Sequence, residues 1–383
     1  MVPEGWVKIR LGSVAELQRG FDLPSSQRID GSVPIVSSGG VTGYHSEAKS
    51  KAPGVVTGRY GSIGDVFYLE EDYWPLNTSL WVKDFHGNYE KFVYYLLCNF
   101  DFKKFSDKTG VPGVNRNDLH AVKVGLPSIP EQKKIAQILS TWDKAISSTE
   151  QLLANSQQQK KALMQQLLTG KKRLLDKNGV RFGGEWKKGK LSDIANIDSG
   201  YAFKSADFTD SEKGIPIIRM SDFKTGGVDI SNAAKVIPET TIGLDRFRLK
   251  NGDFVFGMSG SLSNYGWVKE QDLPCFLNQR VGRILAKECA VQMFVTYLYL
   301  SDKIQQSILD KAAGAAQLNI SSTDLRKTIV HYPGFEEQQK IAAVLSTADQ
   351  EISALKQKLD ALKQEKKALM QQLLTGKRRV KLN

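Results

Sequence analysis

Cysteine and histidine are scarce in this 383-residue chain. The three cysteines, Cys98, Cys275 and Cys289, are odd in number and far apart, no CxxC pair occurs, and there are only four histidines. That argues against a disulfide framework and against a zinc site. Long apolar runs are missing too. No stretch approaches the ~18 uncharged apolar residues needed to cross a membrane, and Met1-Val2-Pro3-Glu4 does not open a signal peptide. The expected protein is therefore cytoplasmic, with no membrane partner. Negative charge is in deficit, with 41 acidic residues against 53 lysines and arginines and a formal net charge of +12. The surface field should attract polyanions, although charge balance alone discriminates weakly. What is present is a hydrophobic fraction of 41%, enough for real cores, and a length that suits two domains.

Proline and glycine are also absent from two stretches, 131–169 and 336–375, and these stretches are copies of one another. Glu131-Gln132-Lys133-Lys134-Ile135-Ala136 returns 206 residues later as Glu337-Gln338-Gln339-Lys340-Ile341-Ala342, and residues 160–171 recur identically as 366–377. No insertion separates the matching segments. Apolar or neutral residues fall alternately four and three apart: Ile135, Leu139, Trp142, Ile146, Thr149, Leu153, then Leu163 and Leu167. The second copy reads Ile341, Leu345, Ala348, Ile352, Leu355, Leu359, Leu362, Leu369 and Leu373. A 3.5-residue period predicts a coiled-coil seam, with one lysine in each copy at a core position, Lys160 and Lys366. Gly170 and Gly376 stand where a C-terminal cap belongs, followed by basic residues suited to the helix dipole, and Pro130 marks the start of the first helix. Each helix should be ~55 Å long. The first leaves one globular segment for the next and the second starts from that next segment, so their pairing must be antiparallel.

The globular segments repeat more weakly. Trp6, Leu11, Val14, Ala15, Gly20 and Phe21 correspond to Trp186, Leu191, Ile194, Ala195, Gly200 and Tyr201, and Val33-Pro34-Ile35-Val36 to Ile215-Pro216-Ile217-Ile218. Gly58-Arg59-Tyr60-Gly61-Ser62 matches Gly257-Met258-Ser259-Gly260-Ser261, Asn77 matches Asn278, and Asp118-Leu119 matches Asp324-Leu325. Most of the extra length of the second half enters between Val36 and Gly58. Each half should contain a short opening helix, several strands, a helix at 89–105 or 291–309, and a closing strand. The expected fold class is mixed α/β: two pseudo-repeated globular domains separated by two long antiparallel coiled-coil helices. The boundaries read as 1–129, 130–179, 180–335 and 336–383, alternating globular domain with helix.

The order of these parts, the entry segment Ile129-Pro130-Glu131-Gln132-Lys133-Lys134-Ile135-Ala136 and the exit segment from Lys160 to Lys171 resemble the specificity subunit of type I restriction-modification systems. The glycine-bearing loops 58–64 and 257–260 are similar to those of that family's target-recognition domains. The resemblance spans nearly the whole chain. It implies a subunit that reads an asymmetric bipartite site in double-stranded DNA, one half-site per domain, across a gap of unspecified base pairs. It further implies two modification subunits that use S-adenosylmethionine and two ATP- and Mg-dependent motor-nuclease (restriction) subunits, with no cofactor or metal held by this chain.

Motifs for chemistry are missing in the same direction. The chain has no Pro-Pro, so it lacks the (Asn/Asp)-Pro-Pro-aromatic motif of an amino-methyltransferase, and Gly170-Lys171 and Gly376-Lys377 are not followed by Ser or Thr as a nucleotide loop requires. Histidines 45, 86, 120 and 331 have no nucleophile or ligand spacing. No catalytic residue is expected.

Base edges are read chiefly by Arg or Lys on guanine and Asn or Gln on adenine, from loops that vary on a fixed scaffold. In the first domain the candidates are Arg59, Tyr60, Ser62, Asn77, Asn115, Arg116 and Asn117, with Lys103, Lys104 and Lys108 as phosphate contacts. In the second they are Arg219, Ser259, Ser261, Asn264, Tyr265, Asn278, Gln279, Arg280, Gln317 and Asn319. Asn77 and Asn278 also suit structural turns. The alternative function is a stand-alone sequence-specific DNA-binding regulator. A single-chain methyltransferase or nuclease lacks its motifs, and a structural coiled coil does not explain two repeated globular halves.

Overall fold

The computed structural model describes residues 2–106, 113–224, 227–260, 264–312 and 319–382. The chain forms two compact units, Met1–Leu152 with Leu355–Asn383, and Leu153–Ala354. Each unit therefore holds one globular half, part of the first long helix and part of the second.

In the first unit, strands Glu16–Arg19, Ser79–Asp84, Gly54–Gly58 and Val66–Leu69 form an antiparallel sheet in that order. A second sheet sets Val33–Ser37 between Gly40–His45 and the short strand Trp74–Pro75, which it meets in parallel through Ile35 with Trp74 and Val36 with Pro75. Helices α1 (Glu90–Cys98) and α2 (Arg116–Ala121) follow, then α3 (Ile129–Leu167). The second unit rebuilds this plan. Its main sheet runs Ala195–Ser199, Val281–Ala286, Phe254–Gly257, Tyr265–Trp267, and Ile215–Ile218 pairs in parallel with Phe276–Leu277. Its helices are α4 (Leu191–Ile194), α5 (Gln292–Tyr299), α6 (Asp302–Ala312), α7 (Ser322–Arg326) and α8 (Phe335–Leu374).

The repeated glycines Gly20 and Gly200 have a steric cause. A Cβ on Gly20 would lie 2.1 Å from Leu76 O, and one on Gly200 2.2 Å from Leu277 O, so no larger residue fits where the two sheets of each unit meet.

Three local expectations differ from the structure. The helix expected at 89–105 ends at Cys98 and gives way to a short turn at Phe102–Phe105, and its counterpart breaks between α5 and α6. The second break has a visible cause: Ser301 turns its hydroxyl onto Leu298 O at 2.6 Å, competing with the helical ladder. In the first, Phe100 packs on Phe102 and Phe105, with ring centroids 5.3 and 5.4 Å away, which a straight helix could not arrange. The opening helix is a turn at Leu11–Ser13 and the single turn of α4, each preceded by a strand that pairs with the closing strand: Val7–Arg10 with Lys123–Leu126, and Lys187–Lys190 with Ile329–Tyr332. Lys187-Lys188-Gly189-Lys190 has no apolar residue and so no strand signal. Pro130 lies inside the first turn of α3, where its missing N–H costs nothing.

The long helices have 39 and 40 residues, about 58 and 60 Å at 1.5 Å per residue. In the first unit their contacts run in opposite directions along the chain: Lys363 with Glu150 at 2.7 Å, Lys366 with Asp143 at 2.5 Å, Arg379 with Glu131 at 2.8 Å. The second unit repeats this with Ser156 on Glu351 at 2.9 Å, Lys160 on Asp349 at 2.6 Å and Arg173 on Glu337 at 2.6 Å. The pairing is antiparallel in both. The helix ends are built into the globular cores: Ile135, Leu139 and Leu373 pack with Leu17, Val55 and Phe92, and Ile341, Leu345 and Leu167 with Phe254, Phe256 and Phe294, all at most 1% exposed. Each such side chain contributes about 1.5–3 kcal/mol by burial.

The seam explains its motifs. Gln132 accepts from Tyr89 N at 2.9 Å, the residue that opens α1, and donates to Asn88 and to Pro127 O. Gln338 does the same for Val291 N at 3.0 Å and Pro333 O. The two lysines at core positions are paired with aspartates. Gly170 and Gly376 both adopt φ +71°, the left-handed cap conformation. Beyond them Arg173 and Arg379 grip the buried Glu337 and Glu131 bidentately. These arginines thus have a specific partner as well as the helix dipole.

Candidate nucleic-acid interface

In each unit three loop ends converge by backbone hydrogen bonds. In the first, Arg59 N and Tyr60 N donate to Thr78 O at 3.0 and 3.3 Å, and Val114 N donates to Arg59 O at 3.1 Å. In the second, Met258 N donates to Arg280 O at 3.0 Å and Ile320 N to Met258 O at 2.9 Å. Tyr60 bridges Gly113 as Ser259 bridges Asn319. The strand ends of the main sheet fix this platform, and the side chains it presents differ between units.

The first platform gathers Arg59, Tyr60, Asn115 and Arg116 around a cleft of about 720 Å³. The Arg59 guanidinium lies 4.6 Å over the Tyr60 ring, an attractive cation–π contact. Asn115 is the N-cap of α2, its side-chain oxygen accepting from Asn117 N at 3.0 Å, so its amide NH2 is the group left to face a ligand. Arg116 and Asn117 are exposed in the first turn. Gln18 and Arg19 also line the cleft. They were not singled out from sequence, although Arg19 stands next to the repeated Gly20. Asn77 has a structural partner: its amide donates to Asp22, which also pairs with Arg19 at 3.3 Å. Ser62 is exposed and does not line the cleft. Lys103 and Lys104 are exposed on the turn after α1, with Lys104 3.3 Å from Asp101. Lys108 lies outside the described residues.

The second platform gathers Ser259, Asn278, Gln279, Arg280 and Asn319. Gln279, Arg280 and Asn319 are exposed, and Asn278 is half-buried with its N–H on Ile218 O at 3.3 Å. Arg219 follows Ile218. Its N–H is capped by Asp222 at 2.7 Å while its side chain stays partly exposed. Asn264 is half-buried and its carbonyl accepts from Gly257 N at 2.8 Å. Tyr265 stands apart: its ring packs 5.8 Å from both Phe254 and Trp267, and burial pushes its hydroxyl pKa up. Ser261 and Gln317 lie outside the described residues.

Beneath the first platform, His120 of α2 accepts a hydrogen bond from Leu17 N through Nε2 at 2.8 Å, and burial, reinforced by the Arg116 charge, lowers its pKa. A separate group, Glu16, Asp84 and His86, brings its ligand atoms within 4.8 Å of one another. These residues already pair among themselves and with Lys83, 3.5 Å from Glu16, and are partly or fully exposed.

Residues 3–155 and 183–364 match the type I restriction modification DNA specificity domain, once for each half of the repeat. The chain belongs to that family. Among its relatives, the type I restriction enzyme MjaVIII specificity subunit of Methanocaldococcus jannaschii is 29% identical over 299 residues, covering 75% of this chain and 70% of that one. The EcoBI specificity subunit of Escherichia coli is 24% identical over 373 residues, covering 89% and 78%. In fold, the chain is similar to the type I restriction-modification S subunit from M. genitalium, with a TM-score of 0.63 at 17% identity over 97% of this chain and 96% of that one. A chain from a structure describing assembly and conformational transition of the type I R-M system gives a TM-score of 0.59 at 16% identity, covering 98% of each. Among the described residues, no helix is long and apolar enough to cross a membrane.

Proposed function

We propose that this chain is the non-catalytic DNA-reading subunit of a type I restriction-modification assembly. Each platform reads one half of an asymmetric bipartite site in double-stranded DNA, and the long helices set the gap and dock the modification subunits. In this reading residues 1–129 and 180–335 are the readers, and 130–179 and 336–383 the spacers. Two modification subunits supply S-adenosylmethionine chemistry, two restriction subunits supply ATP- and Mg-dependent chemistry, and the whole acts in the cytoplasm.

The observation that carries the reading is one platform built twice with different side chains: Arg59, Tyr60, Asn115 and Arg116 in one unit, Ser259, Asn278, Gln279, Arg280 and Asn319 in the other. Arginine suits guanine and Asn or Gln suits adenine, so the two halves should prefer different base pairs. Family membership counts against a stand-alone regulator.

The test is to lengthen the spacer by one heptad. Because each helix is paired along its length, the insertion goes into both α3 and α8, next to Leu152 and Ala354. The methylated sequence should keep both half-sites and gain gap base pairs. An unchanged gap would remove the spacer role, and altered half-sites would remove the independence of the readers.

A further inference from the structure

Asp198, on the first strand of the second unit's main sheet, collects three arginines. Arg246 Nη2 donates to its Oδ1 at 2.9 Å, Arg326 Nη2 lies 3.8 Å from the same oxygen, and Arg283 Nη2 lies 3.8 Å from Oδ2. Arg283 is a structural member. It is 7% exposed, paired with Asp253 at 3.1 Å, and donates to the carbonyls of Arg246 and Arg248 at 2.9 and 3.1 Å, so it fixes the loop that carries Arg246. The other two are not enclosed: the Arg246 side chain is 67% exposed and that of Arg326 is 42% exposed. Among the described residues, Arg326 is anchored by Nε and Nη2 on Ile197 O with no hydrogen bond from Nη1, and Arg246 donates only through Nη2 while its guanidinium carbon lies 5.8 Å from the Phe247 ring centroid.

Three guanidinium groups thus face two carboxylates, Asp198 and Asp253, leaving an uncompensated positive charge on the two exposed members. Like charges are costly to hold together, and one shared carboxylate oxygen does not neutralise both. Two partly free guanidinium groups within reach of one atom match a tetrahedral phosphate, whose oxygens can take a donor from each. The cluster sits beside the platform: Ser199 follows Asp198, and Gly200 N donates to Val281 O at the platform's edge. Among the described residues, it has no counterpart in the first unit. Arg246 lies in the extra length of the second half, and the repeat position of Arg326 is His120.

We propose that Arg246 and Arg326 form a phosphate clamp on the DNA backbone beside the second half-site, with Asp198 holding the two guanidinium groups together before DNA arrives. The clamp rests on the DNA-reading function proposed above. It positions the duplex and carries no base preference.

The test measures binding of the chain, assembled with its modification subunits, to two fluorescent duplexes, one with its methylated sequence and one shuffled, across salt. Arg246→Gln and Arg326→Gln should each lower the slope of log affinity against log salt by about 0.9 and weaken both duplexes alike. Arg326→Lys should keep the slope, since it keeps the charge. Unchanged slopes in both Gln variants, with the wild type still salt-dependent, would overturn the clamp and leave the DNA-reading function standing. Weakening confined to the methylated sequence would make these residues base readers, and a slope lost in Arg326→Lys would make the effect one of packing; either overturns the clamp. A wild type without salt-dependent binding would remove the function and the clamp together.

Discussion

Lys160 and Asp349 form a 2.6 Å ion pair across the two long helices, and their repeat equivalents Lys366 and Asp143 form the same pair at 2.5 Å. Each aspartate also accepts from a tyrosine of the adjoining globular core, Tyr297 at 2.7 Å and Tyr95 at 2.5 Å. The lysine is therefore more than a tolerated charge in a hydrophobic seam. It specifies one register of the antiparallel pair and ties that register to the domain beside it.

Removing the acid should expose the cost of the lysine. Asp349→Ala leaves Lys160, 19% exposed, without its partner. The expected loss is about 1–2 kcal/mol, below the ~3–5 kcal/mol of a fully buried pair because Asp349 is half open to water. Urea denaturation measures it. The exchanged pair Lys160→Asp with Asp349→Lys should recover part of the loss, and no recovery would mean that the seam does not use the pair for register.

Gln132→Ala should destabilise the chain by about 2–3 kcal/mol, because it strands Tyr89 N, Asn88 and Pro127 O in a buried position. Gln338→Ala strands Val291 N and Pro333 O and should cost somewhat less. Denaturant midpoints of the two variants give the comparison. Equal and negligible shifts would show that water replaces the glutamine amide.

The bidentate arginines should respond unequally to lysine. Glu131 keeps a second donor, Trp6 Nε1 at 3.1 Å, when Arg379 is replaced. The matching Trp186 Nε1 donates to nothing among the described residues, so Glu337, 3% exposed, depends on Arg173. Arg173→Lys is expected to cost about 1–3 kcal/mol and Arg379→Lys less, read from thermal unfolding. The reverse order would contradict this account of the helix ends.

His120 makes the first unit acid-sensitive. Its folded pKa lies below the unfolded value, so the unfolded chain binds the proton more readily, and stability rises with pH across that range. The contribution is fully present above about pH 6.5 and is lost as the pH falls through the lowered folded value. Protonated Nε2 can no longer accept from Leu17 N. His120→Gln should flatten the stability profile between neutral and mildly acidic pH, and an unchanged profile would move the acid sensitivity to another group.

Much of the architecture was legible because the long helices carry a strict seam and an uninterrupted 206-residue offset. From chain order alone these required an antiparallel pair, and the contacts within each unit follow it. What could not be read was long-range and polar. Nothing in Lys187-Lys188-Gly189-Lys190 signals a strand, since its partner Ile329–Tyr332 lies far along the chain. The aspartate partners of Lys160 and Lys366 were equally hidden, because heptad spacing ranks core positions and cannot match charges between helices. At the platforms, residue type pointed to Arg59, Asn115 and Arg280. Only the fold brings in Arg19, and only packing shows that Tyr265 faces the core.

We propose that one chain supplies two different readers at a set separation. Single-molecule methylome sequencing of cells with and without this gene tests it most directly. An asymmetric two-part motif with a constant unspecified gap, methylated only when the gene is present, is the expected result. A single contiguous motif, or a methylome unchanged by deletion, would contradict it.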